Sequence, residues 1–450
     1  MDIQNFSALF NTPARREAFL KLIKDNKTKH IFIQGLEGSS IALFFSNLLE
    51  HKQAHIIIAN DLDEAGYLYN DLVQINGNDH ILLFPSGYKR DIKYGQPDPP
   101  SEILRTEVLN RLCQKGESLL IVTYPEAIAE KVVPVNMLSE QTLHIDKNSK
   151  CDIITLSDKL RERGFEEVDY VYEPGQFAVR GSILDVFSYT NELPYRIDFF
   201  GKEVESIRTF EVETQLSTGK LEEVYIVANV CGQEASGISI LDFIDKNTIL
   251  ICHNLSWVID RISTIASESL SEQTLIAEEG DRYAMQKIID VTAFQKKITT
   301  FRRIDYGTSS EANAPAVIRF NCTPQGVYHK NFDLVSQSFS QFIEKGYTLY
   351  ILSDSEKQIE RLQAIFEERG DSISFTPVLK TLHEGFVDND LKIGCFTDHQ
   401  IFDRFHKYTL KSKHARSGKL ALSLKELNQI EVGDYIVHVD HGIGRFGGLI

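Results

Sequence analysis

Positive charge is what this chain lacks most. Its 48 Lys and Arg face 64 Asp and Glu, a formal net charge of -16. A surface that grips DNA generally needs clustered Lys and Arg to neutralise phosphates, so that class is excluded except as a local patch. Partners with exposed basic groups, or surfaces matched residue by residue, fit better. Long apolar runs are missing too: stretches such as Ile56-Ile57-Ile58-Ala59 fall far short of the roughly 20 residues a membrane-spanning helix needs. The opening Met1-Asp2-Ile3-Gln4-Asn5-Phe6 has neither the basic nor the apolar region of a secretory signal. Cysteine is sparse and scattered, at Cys113, Cys151, Cys231, Cys252, Cys322 and Cys395, with no C-x-x-C pair or ligand-like spacing. Free thiols in a reducing compartment are expected, and with them a cytoplasmic protein with no membrane partner. Internal repeats and low-complexity tracts are absent.

What is present is an alternation of short apolar strands and helices. The chain of 450 residues is long enough for roughly three domains. His30–Gln34, His55–Ala59, Ile81–Pro85 and Ser118–Thr123 read as buried strands, with helices between them and Asp61 as an N-cap. Such a pattern predicts a parallel sheet covered on both faces. After about residue 140 the character changes. Ser157–Arg163 reads as a helix ended by Gly164. Val168–Tyr172, Gly181–Phe187, Tyr195–Phe200 and Glu203–Arg208 then carry the alternation of half-buried antiparallel strands. Strand–helix alternation returns at Thr248–Cys252, and residues 268–315 are too polar to assign. A further α/β unit begins near Asn331, with strands at Tyr347–Leu352 and Lys392–Thr397. Phe405–Lys419 reads as a basic linker.

The turn after the first strand, Gly35-Leu36-Glu37-Gly38-Ser39-Ser40, stands where a phosphate-binding loop would. A working loop needs G-x-x-x-x-G-K-[ST], so that backbone N–H groups wrap the phosphates, a lysine neutralises them and a hydroxyl binds magnesium. Here Gly35 and Gly38 are too close together, and no lysine precedes Ser40 or Ile41. The strand ending at Thr123 is followed by Tyr124-Pro125-Glu126 rather than by an acidic pair, so magnesium-dependent hydrolysis lacks a second part. Gly35, Gly38, Ser39 and Ser40 are therefore expected to form a degenerate loop that holds no nucleotide.

The block Glu173-Pro174-Gly175-Gln176-Phe177-Ala178-Val179-Arg180-Gly181-Ser182-Ile183-Leu184-Asp185-Val186-Phe187 is continued by Leu193–Ile207. On a strand, Phe199 and Phe200 point to opposite faces. An outward Phe near Arg180 and Arg196 has the composition of a protein-docking hot spot and not of a catalytic site. The alternative is that both arginines pair with Asp185 or Asp198 and both rings are buried. At the far end, His438, Asp440 and His441 are better read as turn hydrogen bonding than as metal ligands; no catalytic or metal site is expected.

Residues 173–207 resemble the domain through which UvrB-type excision-repair helicases and transcription-repair coupling factors (Mfd) bind UvrA, with looser resemblance through the first domain. Thr214-Gln215 fits the coupling-factor version, and Val432–Leu449 is similar to the opening of that family's RNA-polymerase-binding domain. A UvrB-type helicase would keep an intact ATP loop and a long hairpin near residues 86–100; the stretch Asp91–Pro97 echoes only the shared fold. The resemblance implies Arg180, Arg196 and Phe200 as UvrA-binding residues. It implies a degenerate α/β domain from 1–141 and 230–330, a UvrA-binding domain at 142–229, a small α/β domain at 331–411, a basic linker at 412–430 and the start of a polymerase-binding domain at 431–450. ATP and magnesium would belong to a motor beyond residue 450, RNA polymerase would be bound only by the complete protein, and DNA contact here would be weak or nil. The alternatives are a UvrB-type ATP-dependent helicase subunit, or an enzyme using the 331–411 domain.

Overall fold

The computed structural model describes residues 1–25, 27–88, 98–114, 116–147, 150–191, 193–228, 237–271, 288–308, 316–404, 435–438 and 442–445. Two compact units emerge: Met1–Pro97 with Val108–Val135 and Gln233–Leu410, and Asp98–Glu107 with Asn136–Gly232 and Lys411–Ile450. In chain order the first unit opens with β1 (His30–Gln34), β2 (Ala54–Ile58), β3 (Ile81–Leu83) and β4 (Leu119–Thr123). The second unit supplies β5 (Thr142–Asp146), β6 (Glu166–Glu167), β7 (Gln176–Arg180), β8 (Ile183–Val186), β9 (Tyr195–Phe200), β10 (Glu203–Phe210), β11 (Ser217–Leu221) and β12 (Glu223–Val227). The chain then returns to the first unit with β13 (Ile249–Cys252), β14 (Arg302–Gly307) and β15 (Ala316–Arg319). It continues into β16 (Cys322–Pro324), β17 (Thr348–Leu352), β18 (Thr376–Val378), β19 (Phe386–Asp388) and β20 (Ile393–Thr397).

The large sheet has seven strands in the order β15-β1-β14-β13-β2-β4-β3, and every neighbouring pair is parallel. The α/β class expected from the apolar strands is therefore the one found. β14 and β13 lie between β1 and β2, with Ile304 opposite Ile31 and Ile251 opposite Ile57, so strands distant in sequence complete the centre of the sheet. The helix Leu62–Asn76 is capped as expected, Asp61 accepting from the Glu64 N–H at 2.9 Å. Between β1 and β2, where the alternation predicts a helix, stands a short helix Ser40–Phe45 followed by a 3-10 turn through Glu50.

The first unit also holds the mixed sheet β16-β19-β20-β17-β18. The β15–β16 corner follows the rim of the large sheet, with the Phe320 N–H donating to Gln34 O at 2.8 Å and the Cys322 N–H to Gly35 O at 3.1 Å. A buried ion pair reinforces the join. Arg15 Nη1 donates to Asp388 Oδ2 at 2.6 Å and Nη2 to Oδ1 at 3.3 Å, while the Asp390 and Leu391 N–H groups cap the same carboxylate. The guanidinium also lies over the Phe10 and Phe320 rings at 5.3 and 5.0 Å.

In the second unit the sheet order is β11-β10-β9-β8-β7-β6, an antiparallel meander with β6 parallel to β7. The β7–β8 and β9–β10 hairpins turn over two residues each. Both begin on a glycine with positive φ, Gly181 at 62° and Gly201 at 64°, as a tight hairpin of matched twist requires. One face packs on the helix Ile153–Glu162 and the β5–β12 ladder through Phe177, Leu184, Ile197, Phe199, Leu160 and Ile226. Ser157, expected to open that helix, lies inside it; Asp152 caps it instead. The expected strand at Val168–Tyr172 does not form. The Gln176 side-chain oxygen takes the Tyr172 and Glu173 N–H groups, and Val171 turns into a small cluster with Ala178, Phe187 and Phe210. A hairpin of β21 (Tyr435–His438) and β22 (Gly442–Arg445) is also described. The 412–430 linker, the Asp91–Pro97 stretch, Asp440 and His441 lie outside the described residues.

Removing one partner of a buried ion pair leaves a charge without compensation. Arg15→Ala is accordingly expected to lower stability by on the order of 3 kcal/mol in urea unfolding. An unchanged urea midpoint would mean that the two backbone amides suffice for Asp388.

Candidate functional site

The site begins with a pleat. Along β9, Arg196, Asp198 and Phe200 fall on one face, and Tyr195, Ile197 and Phe199 on the other. The second set is the core face, and Phe199 is buried there, whereas Phe200 is 77% exposed. Cross-strand register places Asp185 between Ala178 of β7 and Arg196 of β9, on the same face as Phe200. The Phe199 N–H donates to Ser182 O at 2.9 Å, which continues the register and brings Phe200 alongside the Gly181–Ser182 turn. Arg180, just before that turn, shares the face.

Both arginines converge on Asp185. Its carboxylate is 1% exposed, and it receives Arg196 Nε and Nη2 at 2.8 Å each, together with Arg180 Nη2. Arg196 is further committed: Nη1 donates to Gln215 O at 3.0 Å, and its guanidinium lies 4.3 Å from the centre of the buried Phe210 ring. Only 12% of its side chain is exposed. The hydrogen bonds it donates to Asp185 raise its pKa still further. Arg180 keeps 37% exposure, with its guanidinium 5.1 Å from the Tyr170 ring centre. Next along the sheet, Asp198 is held by Arg208 and by the Ser206 hydroxyl at 2.8 Å. So the arginines take the internal pairing that the sequence offered as an alternative, while Phe200 takes the outward orientation. The face can present one apolar ring and one partly free guanidinium. No group of three metal-ligating side chains occurs among the described residues.

The loop after β1 is a second place where the sequence expected chemistry. Gly35 and Gly38 adopt positive φ, 81° and 53°. Ser39, at the position before Ser40 where a lysine would neutralise phosphate, donates its hydroxyl to Asp71 Oδ2 at 2.5 Å. Ser40 closes on the loop itself, its hydroxyl donating to Glu37 O at 2.7 Å. A cavity of about 430 Å³ opens beside them, lined among others by Glu37, Asp61, Asp63, Glu64, Asp71 and Glu384. Asp71 was not singled out from sequence; its helical position gives no sign that it faces a loop. It is fully buried, and burial pushes its carboxyl up to about 7, against the lowering effect of its Ser39 and His383 hydrogen bonds. Burial and the nearby Glu37 and Glu64 raise Glu384 as well.

Comparison with known proteins bears on the first of these places. Residues 143–230 match the family model of the UvrB interaction domain. Across the chain, a transcription-repair-coupling factor from Staphylococcus aureus (strain MRSA252) is 23% identical over 93% of this chain and 42% of its own length. One from Staphylococcus epidermidis is 22% identical over 94% of this chain and 42% of its own length. The chain is similar to these coupling factors and spans less than half the length of each. No helix among the described residues is long and apolar enough to cross a membrane.

The geometry separates two substitutions that composition alone would treat alike. Arg196→Ala removes a guanidinium bonded at three nitrogens and is expected to cost about 3 kcal/mol in chemical unfolding. Phe200→Ala removes an exposed ring and is expected to change stability by less than about 0.5 kcal/mol. Equal losses would place Phe200 in the core. Asp71 sets a pH dependence. Because its folded pKa lies above the ordinary carboxylate value, its contribution is full below about pH 4 and is lost as pH rises through about 7. The stability of Asp71→Asn relative to the parent should therefore climb across that window. The buried His55, whose pKa falls to about 3, is common to both chains and cancels in the difference. A pH-independent difference would mean that Asp71 titrates normally.

Proposed function

We propose that this chain is the non-motor, N-terminal part of a transcription-repair coupling factor, and that its task is to dock UvrA and bring it to RNA polymerase stalled at a lesion. The observation that carries the reading is Phe200, 77% exposed at a hairpin tip, within the residues that match the UvrB interaction domain. A large ring held in water by a rigid two-residue turn gains by entering a partner's pocket, and loses little entropy in doing so. Arg180 lies on the same face, already oriented by Asp185 and Tyr170, and can add a charge-assisted bond to a partner carboxylate. Arg196 acts from beneath, holding β8, β9 and the 211–216 turn in place so that the ring and the guanidinium keep their spacing.

The reading is recruitment without chemistry in this part. The loop after β1 has no cation for a triphosphate, and carboxylates line the cavity beside it; ATP hydrolysis, DNA translocation and the contact with RNA polymerase belong to the complete protein. Tethering UvrA to such a protein would raise its concentration at the lesion.

Binding of purified UvrA to the chain, followed by calorimetry or on a sensor surface, tests the proposal. Phe200→Ala should weaken the complex by a hot-spot amount, about 2 kcal/mol or roughly thirtyfold in Kd. An unchanged Kd would remove the hairpin tip from the interface, and no complex with the parent chain would overturn the reading itself.

A further inference from the structure

The module of β16–β20 has no task in the function proposed above, yet it reaches into the one loop whose sequence looked like a nucleotide site. Between Leu382 and β19 the main chain runs across the loop after β1. The Ser39 N–H donates to Glu384 O at 3.1 Å, and the Glu384 N–H returns a bond to Ser39 Oγ at 2.9 Å. The His383 N–H donates to Asp71 Oδ1 at 2.8 Å, and the other oxygen of that carboxylate takes the Ser39 hydroxyl. The Tyr67 ring lies flat on the His383 imidazole, with centroids 3.5 Å apart. At Gly38 an added Cβ would come within 2.8 Å of Gly385 O. The two backbones are therefore in direct contact, and the glycine is needed for that approach as well as for its φ.

The segment is also fixed from behind. The Gly385 N–H donates to Gln400 Oε1 at 2.8 Å, and the His399 Nε2 lies 2.8 Å from His383 O. A Cβ on Gly385 would meet Gln325 Oε1 at 2.0 Å.

We propose that residues 383–385 are a built-in occupant of the degenerate phosphate loop, so that the β16–β20 module serves as a permanent internal ligand of the large sheet. In a working loop of this context the backbone N–H groups point at an anion. Here the Ser39 N–H is spent on a neutral carbonyl from the same chain, and the hydroxyl standing in the lysine's place ties the occupant to Asp71. A phosphate would have to displace a backbone that is covalently present at high effective concentration, past Glu37, Glu64 and Glu384. The consequence is mechanical: a loop that in a motor changes partner with each nucleotide cycle keeps one partner throughout, and the sheet becomes a fixed scaffold.

Hydrogen exchange followed by mass spectrometry on the whole 450-residue chain tests this. Ser39→Ala deletes both ties made by the Ser39 hydroxyl, to Asp71 and to the Glu384 N–H. Peptides covering 36–43 and 380–386 should then exchange faster together, by on the order of tenfold for a net hydrogen bond lost. The β8–β9 peptides of the second unit should stay as in the parent. Asp71→Asn, measured in the same way at pH 8, covers the case in which Ser39→Ala fails to fold; it keeps the shape and alters the carboxylate that joins the two segments. Millimolar ATP with magnesium should protect neither segment in the parent chain. The proposal is overturned if the two segments do not change together in the folded variant, or if ATP slows exchange at 36–43.

Discussion

A carboxylate taken out of water must be compensated where it lies, and much of this molecule is arranged around that requirement. Three aspartates show it. Asp185, 1% exposed, is held by two arginines. Asp388 is held by Arg15 and two backbone amides. Asp71 has a hydroxyl and an amide but no cation, and its burial raises its proton affinity toward neutrality. In each case the compensated acid joins elements that sequence alone leaves apart: β8 to β9, the Pro13–Lys24 helix to β19, and the Leu62–Asn76 helix to the segment before β19.

On the face that carries Phe200 this requirement divides the work. An arginine that must neutralise Asp185 cannot also be surrendered to a partner, because withdrawing it would leave a buried charge exposed to low dielectric. Arg196, bonded at three nitrogens and stacked on Phe210, is fully spent in this way. Arg180 shares the load and stays partly open. Phe200 has no internal duty at all. In the docking proposed above, binding energy would therefore concentrate on the ring, orientation on Arg180, and rigidity on Arg196. Three residues that resemblance places together as one interface thus hold physically different positions in it.

How much of this was legible in the sequence follows from what each feature depends on. Strands β1, β2, β4 and β13 are apolar runs buried throughout their middles, and burial on both sheet faces writes itself as a continuous run. β14 was missed because it begins Arg302-Arg303 and carries Asp305; Arg303, two residues earlier on the same strand face, and His30, at 2.8 Å, make that buried acid tolerable, and the His30 pairing cannot be seen locally. β16, β18 and β19 are three residues each, too short to show a period. The outward Phe200 was readable because alternation of period two forces Phe199 and Phe200 apart. That both arginines would choose Asp185 over Asp198 was not, since the choice depends on cross-strand register. Nor could any local pattern show that Glu384 meets Ser39, a contact across 345 residues of chain.

The net charge of -16 limits how such a face can work. At physiological ionic strength fields are screened within about 8 Å, so the excess of acid neither steers an acidic partner in nor blocks it once it is close. Around Asp185 the local sum differs in sign from the whole, with two guanidiniums against one carboxylate, while Asp198 and Arg208 cancel. Discrimination then has to come from contact: an apolar ring that must find a pocket, beside a cation whose angle is already set. That would suit the proposed docking of one protein, and it is compatible with a chain whose excess of acid disfavours general binding to nucleic acid.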